Sequence, residues 1–376
     1  MSTTILTSFF NRRGLVSLSQ RGRSGLQFLG ALQGYSSSRI RDVAKKSFEA
    51  DPEGKKLIDE KEKGVSNESW PARIAKSRAI AEKYPAYRFE RFYQRFVAEE
   101  VYARSIPAIE EKRSEAEAFL QPPKKDAGGS LELDDRVVLE DWYDGVEWHL
   151  MPGGWDGYDL YGASMMAGVG QYVFKYGGYA AVEAGDDIGQ HRAQVVSQFP
   201  KKNYKRIYEP GCGGIPTLSV LAHAFPDAEL VGSDLSTSLL RNGHIAAEKL
   251  GIKISLKQRD ARTTGEPDES FDAVIMYALQ HEMPVAVNID VFKEMFRILK
   301  PGGDIVVNDP PPFAAVDPFQ AVILDWDTDH REEPYFSEAC ATEWSEIMNE
   351  IGFVDVEAYA VGKLGYPFIN RGRKPK

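Results

Sequence analysis

The sequence predicts an α/β fold, in which a mostly helical N-terminal region precedes a parallel sheet with crossover helices. Short apolar runs alternate with helical patterns from residue 191 onward, and this alternation is typical of a parallel sheet covered by helices. Residues 42–141 are instead charged, with apolar residues at helical spacing as far as Leu120. The length of 376 residues exceeds that of a typical single domain, so we expect more than one structural unit.

The predicted sheet contains short apolar strands, each followed by a turn, a loop or the start of a helix. The strands are expected at residues 205–208, 229–232, 253–257, 271–276, 304–308 and 353–360. The helices are expected at residues 216–224, 236–250, 284–299 and 338–351.

The first 41 residues form a basic arm, because no acidic residue precedes Asp42 while arginines such as Arg12, Arg21 and Arg39 recur. This composition is typical of an organellar transit peptide, and also of a segment that lies on an anionic membrane surface. A solvated or domain-docking helix is the third interpretation. We therefore expect a cytoplasmic protein, or a mitochondrial one if the arm is a transit peptide, and peripheral membrane contact through the arm stays an open alternative.

Within the helical region 42–141, a helix is predicted over residues 87–109. Its apolar stripe of Phe89, Phe92, Phe96 and Val101 is expected to pack against other elements. The prolines, lysines and glycines of residues 121–130 then predict a linker.

Residues 142–190 are dense in aromatic side chains and glycine, which indicates an irregular cover segment. One interpretation is an aromatic packing layer between the two units. The other is a lid over a substrate pocket, since pockets are mostly apolar and lie at such boundaries. In the second case His149, Tyr158 and Tyr172 are candidates for contact with the substrate.

Charge and cysteine content exclude some classes of partner and site. A net charge of −10 argues against general nucleic-acid binding, which depends on neutralising phosphates. The two cysteines, Cys212 and Cys340, do not make a disulfide framework, and a reducing compartment is the simpler interpretation. We expect a small-molecule substrate, while the oligomeric state is left open by the sequence.

The segment 208–215, Tyr-Glu-Pro-Gly-Cys-Gly-Gly-Ile, joins the first predicted strand to a helix. Gly211 and Gly213 permit positive φ angles and leave no Cβ in the way of a ligand. The helix behind this glycine loop adds free N–H groups. We therefore predict that Glu209 and the glycines approach a nucleotide-like ligand.

Acidic residues follow the next two predicted strands, at the edge of the sheet where open α/β folds bind ligands. Asp234 lies about two dozen residues beyond Gly211, which suits hydrogen bonds from the hydroxyls of a ribose. Asp260 suits an exocyclic amine better than a pyrophosphate. The third glycine of a dinucleotide fingerprint would fall at Pro216, so we expect a ligand with ribose and adenine but no long phosphate chain.

These motifs, together with Phe271-Asp-Ala-Val-Ile and Leu299-Lys-Pro-Gly-Gly303, resemble a class I S-adenosylmethionine-dependent methyltransferase. The similarity is greatest to the small-molecule branch that includes ubiquinone and menaquinone methyltransferases, and it covers roughly residues 195–360. It implies a Rossmann-like seven-stranded doubly wound sheet whose last strand, near residues 363–369, is antiparallel. It also implies S-adenosylmethionine as cofactor. The residues that the resemblance and the sheet edge assign to the cofactor are Glu209, Gly211, Cys212, Gly213, Asp234, Leu235, Asp260, Ala261 and Tyr277.

The resemblance assigns parts of the cofactor to these positions. Gly211, Cys212 and Gly213 would approach the methionine part, Asp234 would bind the ribose, and Asp260 would face the adenine amine. The chain departs from the family pattern at Ile215, where a third glycine is common, so the loop is expected to take a slightly different path.

The predicted reaction is methyl transfer to a small organic acceptor by in-line displacement, in which positioning supplies much of the acceleration. A base is needed only if the acceptor loses a proton. His281, after the fourth strand, is the candidate base because histidine titrates near neutral pH, although it is equally a helix-start residue facing solvent or backbone. Tyr277 and Asp309 are candidates for orienting the substrate.

Two other functions share this fold pattern. Aminopropyl transfer calls for an acid-rich amine pocket, which the fourth-strand loop does not indicate. A catalytically inactive methyltransferase-like domain with an assembly or regulatory role is the second. No metal is expected, because residues 325–330 lack the glycine of a calcium loop and are interpreted as an acidic solvated loop.

Overall fold

A computed structural model of the chain describes residues 16–65, 68–124, 126–178, 188–362 and 365–376. The first fifteen residues of the basic arm lie outside the described residues, as does the beginning of the last predicted strand.

A sheet of eight strands forms the centre of the fold, in the spatial order β1-β4-β3-β2-β5-β6-β8-β7. Neighbouring strands are parallel except β8, which lies antiparallel between β6 and β7. The predicted doubly wound α/β fold and its antiparallel last strand are therefore confirmed. The strands are β1 Ser130–Glu132, β2 Arg206–Pro210, β3 Glu229–Asp234, β4 Ser255–Gln258, β5 Phe271–Tyr277, β6 Leu299–Asp309, β7 Val354–Ala360 and β8 Phe368–Arg373.

The first strand is one that the sequence did not predict. It follows the segment interpreted as a linker and pairs in parallel with β4, with Leu131 opposite Leu256. Three residues are too short to show an apolar alternation, so their pairing depends on the edge that β4 presents. The sheet thus has one strand more than the seven that the family resemblance implies.

Helices cover both faces of the sheet. Two successive residues of β2, Ile207 and Tyr208, point to opposite faces of the sheet and belong to two separate apolar cores. The helices on the sheet are α9 Ile188–Val196, α10 Pro216–Ala224, α11 Thr237–Leu250, α12 Val285–Ile298 and α15 Trp344–Ile351. Helices α9, α10 and α11 contribute to the first core, while α12 and α15 contribute to the second.

The N-terminal region is helical, as predicted, and packs through two further apolar cores against residues 151–173 with Leu239 of α11, and against residues 313–340. Leu26 and Leu29 of its first helix are fully buried, so this part of the basic arm docks on the rest of the chain. A membrane or transit role of the arm stays a prediction. The helices are α1 Gln20–Tyr35, α2 Arg41–Ala50, α3 Pro52–Glu62, α4 Trp70–Ala81, α5 Pro85–Glu110 and α6 Arg113–Phe119, and α7 Tyr161–Ser164 and α8 Lys175–Gly177 flank a π-helix at Met165–Phe174.

A close approach brings α1 against this π-helix. A Cβ added to Gly30 would lie 2.1 Å from the carbonyl oxygen of Tyr172, so only glycine fits there without a shift of the backbone. The contact fixes the position of the π-helix, which forms a wall of the cavity described below.

Three local predictions were wrong. Residues 325–330 are not a solvated loop, because they end helix α13 (Pro318–His330), where Asp325 pairs with Arg78 and Asp327 is buried. The single helix expected at 338–351 is two, α14 (Phe336–Cys340) and α15. The apolar stripe of α5 is only partly a packing face, since Val101 is buried but Phe89 and Phe92 are exposed.

In the described part of the chain, no helix combines the length and the apolarity needed to cross a membrane.

A buried ionic cluster joins α2 to α5. Glu90 is fully buried and accepts hydrogen bonds from Arg41 at 2.8 Å and from Arg91 at 2.7 Å. Burial opposes ionisation of Glu90, but the two guanidinium groups outweigh it and lower the pKa of this carboxyl. The cluster therefore stays charged, and removing Glu90 would leave two buried guanidinium groups without their hydrogen-bonded carboxylate, although the buried Asp327 lies near both.

We expect Glu90→Ala to lower the free energy of unfolding by about 3–5 kcal/mol, because it leaves buried guanidinium groups without their hydrogen-bonded carboxylate. Urea denaturation measures the loss. The matched control is Glu99→Ala, which removes the exposed partner of Arg95 and should cost less than about 1 kcal/mol. Equal losses in the two variants would contradict the role of the buried cluster.

Candidate active site

A cavity of about 560 Å³ lies between the carboxyl ends of the central strands and the N-terminal helices. Its walls divide into two parts, which we name after the ligands that the sequence predicts for them. The cofactor half consists of the glycine loop (Glu209–Ile215), Asp234-Leu235 and Asp260-Ala261. The acceptor half consists of the aromatic turn around His149, the π-helix and the loop that carries His281.

The glycine loop is held in place by the end of β3. Asp234 accepts the N–H of Gly213 through Oδ2 and the N–H of Ser236 through Oδ1, both at 2.9 Å. Gly211 and Gly213 have φ angles of +63° and +52°, a conformation that glycine adopts without steric cost. The loop therefore keeps its backbone at the cavity surface and leaves open space where a ligand would lie.

Two carboxyl groups of the cofactor half have raised pKa values because burial disfavours their charged forms. Burial raises the pKa of Asp234 to about 6 and that of Glu209 to about 8. Glu209 is 2% exposed, and its Oε2 has no hydrogen-bond partner within the ranges that the structure describes. An acceptor in this state suits a ligand that brings a donor, such as the ammonium group of a methionine moiety.

Asp260 is held at the edge of the same half. Its carboxylate accepts the backbone N–H of Arg262 at 2.8 Å and the guanidinium of Arg262 at 2.6 Å. These contacts fix the carboxylate, which retains acceptor capacity for a further donor such as an exocyclic amine. Leu235 and Ala261 form the apolar surface beside it.

Ile215 occupies the position where the family pattern often has a third glycine. Its φ angle of +68° is one that an isoleucine rarely adopts, yet its side chain is 1% exposed and belongs to the apolar core. A Cβ added to Gly243 would lie 2.9 Å from Ile215 Cγ2, so α11 leaves room for this side chain. The chain thus keeps a glycine-like backbone path and fills the space with an apolar side chain.

His281 lies in the acceptor half and is oriented from behind. Its Nδ1 lies 2.7 Å from Asp309 Oδ1, and Phe336 packs against the ring. Burial alone would lower the pKa of His281, but the Asp309 carboxylate outweighs it and raises this pKa to about 9. The imidazole therefore carries a proton at pH 7, which differs from the expectation that it titrates near neutrality.

The cavity brings most of the predicted site residues together. Tyr277 lines it, with its hydroxyl 3.1 Å from that of Tyr366. Asp309, Tyr158 and Tyr172 do not line it in the part of the chain that is described, and Tyr158 instead donates to Glu110 at 2.8 Å. The roles of these three residues stay predictions. The cofactor, catalytic and substrate roles of the residues that do line the cavity also stay predictions: Glu209, Gly211, Cys212, Gly213, Asp234, Leu235, Asp260, Ala261, Tyr277, His281 and His149.

Several lining residues were not predicted from the sequence. Glu282 directly follows His281, so its place after the fourth strand was a usable signal. Glu333 follows α13, and Trp148 lies in the aromatic segment. No spacing or motif distinguishes Glu333 from the many other acidic residues of the chain, so only the fold brings it to the cavity.

Comparison with known proteins shows similarity to methyltransferases over part of the chain. Residues 207–303 match the model described as a methyltransferase domain. A sterol 24-C-methyltransferase of Aspergillus fumigatus is 33% identical over 119 residues, which are 31% of this chain and 30% of the relative. A demethylmenaquinone methyltransferase of Thermus thermophilus is 31% identical over 32% of this chain and 54% of its own length. The chain thus spans about half of this second relative and less of the first.

A solved structure of phosphoethanolamine N-methyltransferase 2 from Haemonchus contortus, with S-adenosylhomocysteine, is 18% identical, with a TM-score of 0.40 over 51% of this chain and 53% of the other.

The match identifies residues 207–303 as a methyltransferase domain, and the strand order and the loop held by Asp234 agree with the class I S-adenosylmethionine-dependent pattern. The predicted resemblance, which included menaquinone methyltransferases, is confirmed. The cofactor of the domain is S-adenosylmethionine, and the unpartnered Glu209 oxygen with the Asp234 and Asp260 carboxylates fits its ammonium, ribose and adenine groups.

We expect Ile215→Ala to lower the free energy of unfolding by about 3 kcal/mol, because it empties a buried site. Ile215→Gly should cost no more than Ile215→Ala, since glycine relieves about 1 kcal/mol of strain at a positive φ angle. Urea denaturation of both variants measures the difference. A glycine variant less stable than the alanine variant by about 1 kcal/mol, as in ordinary backbone, would show that the loop is unstrained.

Proposed function

We propose that the chain transfers a methyl group from S-adenosylmethionine to a small, largely apolar organic acceptor. The observation that carries this proposal is one cavity that joins the cofactor half to an acceptor half with mainly apolar and aromatic walls. Bound S-adenosylmethionine supplies an electrophilic methyl group. The chain supplies position, because the two halves hold their ligands against each other and exclude water between them.

The walls of the acceptor half support an apolar acceptor. They come from the π-helix, from α5 and from the aromatic segment, so they surround the ligand with methionine, valine and aromatic side chains. Relatives named for sterol and demethylmenaquinone methylation agree with an acceptor of this kind. The residues are Val101, Tyr102, Trp148, Trp155, Met165, Met166, Val169, Val173 and Phe174.

Within this proposal, His281 is the residue that contacts the reacting part of the acceptor. It lines the cavity, whereas Asp309 lies behind it and does not. Asp309 is therefore a positioning residue, which fixes the ring and favours its protonated form. General-base help from His281 stays a prediction, and so does an orienting role of Tyr277.

The two other candidate functions make different demands on the site. Aminopropyl transfer calls for an acid-rich pocket, and Glu282 and Glu333 do face the cavity, contrary to expectation. Each of them contacts the His149 imidazole, however, so the pair is already partly balanced. A purely regulatory domain does not need an enclosed acceptor half, although it would retain the cofactor half.

Calorimetry with S-adenosylhomocysteine tests the cofactor half. Asp234 must be ionised to accept the ribose hydroxyls on top of its loop contacts, and its pKa in the free protein is about 6. Glu209, which would accept the ammonium group, has a pKa of about 8 in the free protein. We therefore expect affinity to fall as pH drops below about 8 and more steeply below about 6, by up to tenfold per pH unit for each carboxyl group. Asp234→Ala should abolish binding, while Asp234→Asn should bind weakly and lose the additional fall below about pH 6. Undiminished affinity in Asp234→Ala would refute the ribose assignment.

The transfer itself is tested with methyl-labelled S-adenosylmethionine and two acceptor mixtures, an organic-solvent extract of cells and an aqueous extract of polar metabolites. Label should enter a product of the organic extract. His281→Gln and Asp309→Asn should lower kcat by about 100-fold, because the acceptor loses its positioning contact, while the affinity for S-adenosylhomocysteine stays unchanged.

The control is Glu346→Gln, an exposed residue of α15, which should leave the rate unchanged. Label in neither extract, with cofactor binding intact, would favour the regulatory alternative. Incorporation only from the aqueous extract would refute an apolar acceptor.

A further inference from the structure

Three side chains from separate elements meet in the acceptor half. His149 lies in the turn Trp148–Leu150, Glu282 in the turn Gln280–Glu282, and Glu333 in the loop after α13. One possible ligand atom from each lies within 4.8 Å of the others. The imidazole lies between the carboxylates, with Nε2 3.4 Å from Glu282 Oε1 and Nδ1 in contact with Glu333 Oε1.

The imidazole contacts only the Oε1 atom of each carboxylate and makes no hydrogen bond with Oε2 of Glu282 or of Glu333. Glu333 is 4% exposed, and its Oε2 has no hydrogen-bond partner among residues whose structure is described. Glu282 Oε2 is buried and, within the same described ranges, also has none. A buried carboxylate oxygen without a donor is costly, so two of them beside one imidazole indicate a ligand that brings positive charge.

A metal ion suits this donor set better than an organic cation does. One imidazole nitrogen and two carboxylates form a mixed nitrogen and oxygen site, which suits Mn²⁺, Fe²⁺, Co²⁺ or Zn²⁺, whereas Mg²⁺ and Ca²⁺ prefer oxygen alone. An ammonium group could only donate to the carboxylate oxygens, whereas a metal ion can also take an imidazole nitrogen of His149 as a ligand, with release of any proton on that nitrogen. We propose that His149, Glu282 and Glu333 bind one divalent first-row transition-metal ion, contrary to the expectation of no metal.

The surroundings suit a metal site with open positions. Three protein ligands leave coordination positions unfilled, and all three side chains line the cavity. Trp155 packs edge-on against the His149 ring at 5.1 Å between ring centres, which holds the ring in place. Glu282 Oε1 also lies 3.7 Å from His281 Nε2, so the ion would lie next to the proposed acceptor contact.

The position suggests what the ion does, and this part rests on the proposed function. A metal ion with open positions in the acceptor half binds an oxygen of the acceptor and lowers the pKa of a hydroxyl there. The acceptor class is then narrowed to largely apolar molecules that carry a hydroxyl or carboxyl oxygen at the methylated end. Transfer would form the O–CH3 bond as the S–CH3 bond of the sulfonium breaks, which leaves S-adenosylhomocysteine, and the proton of the acceptor oxygen would pass to solvent.

Metal binding is tested without any acceptor, by titrating the full chain with Mn²⁺ and counting free Mn²⁺ from its electron paramagnetic resonance signal. One ion should bind per chain, and Zn²⁺ should displace it. Glu333→Gln and His149→Gln should each weaken binding at least tenfold, while the exposed-residue variant Glu346→Gln binds as the unaltered chain does.

Calorimetry with S-adenosylhomocysteine on each variant shows that the fold and the cofactor half are intact, so loss of metal is not mistaken for unfolding. Absence of Mn²⁺ binding by the unaltered chain, or equal affinity in Glu333→Gln, would overturn the proposal. Metal binding without any methyl transfer would leave the metal site standing and count against the proposed function alone.

Discussion

The carboxylate of Asp234 is the contact on which the geometry of the site depends. It joins the glycine loop to the start of α11, because its two oxygens accept the N–H groups of Gly213 and Ser236. A loop with three left-handed residues at alternate positions, Gly211, Gly213 and Ile215, has few hydrogen bonds within itself to hold it. An ionised carboxylate has about four acceptor positions, so it can hold the loop and still accept from a ligand.

The cavity is closed by parts of the chain that are far apart in sequence. The sheet supplies the cofactor half, whereas α5, the π-helix and the aromatic segment supply most of the acceptor half. Closure matters because it removes water and strengthens every charge interaction inside. The raised pKa values of Glu209 and Asp234 are direct effects of that loss of solvent.

Sequence patterns predicted the features that depend on local chemistry. Apolar runs located strands β2 to β7, and the order of acids and glycines predicted the cofactor and drew attention to Asp234, which lines the cavity. Patterns failed where distant partners decide the structure. Asp325 and Asp327 read as a solvated loop, but Arg78 and the buried cluster around Arg91 let this segment be a packed helix. Glu333 could not be found, because its partner His149 is almost two hundred residues away in sequence.

Gly30 does not line the cavity, yet its lack of a side chain affects the position of the π-helix, which does. Any side chain there would push α1 away from Tyr172 and open the wall of the acceptor half. A chain that keeps this wall must therefore keep glycine at position 30, whereas a chain without the wall can carry any residue there. Among homologues, glycine at this position should therefore accompany the close packing of α1 against the π-helix.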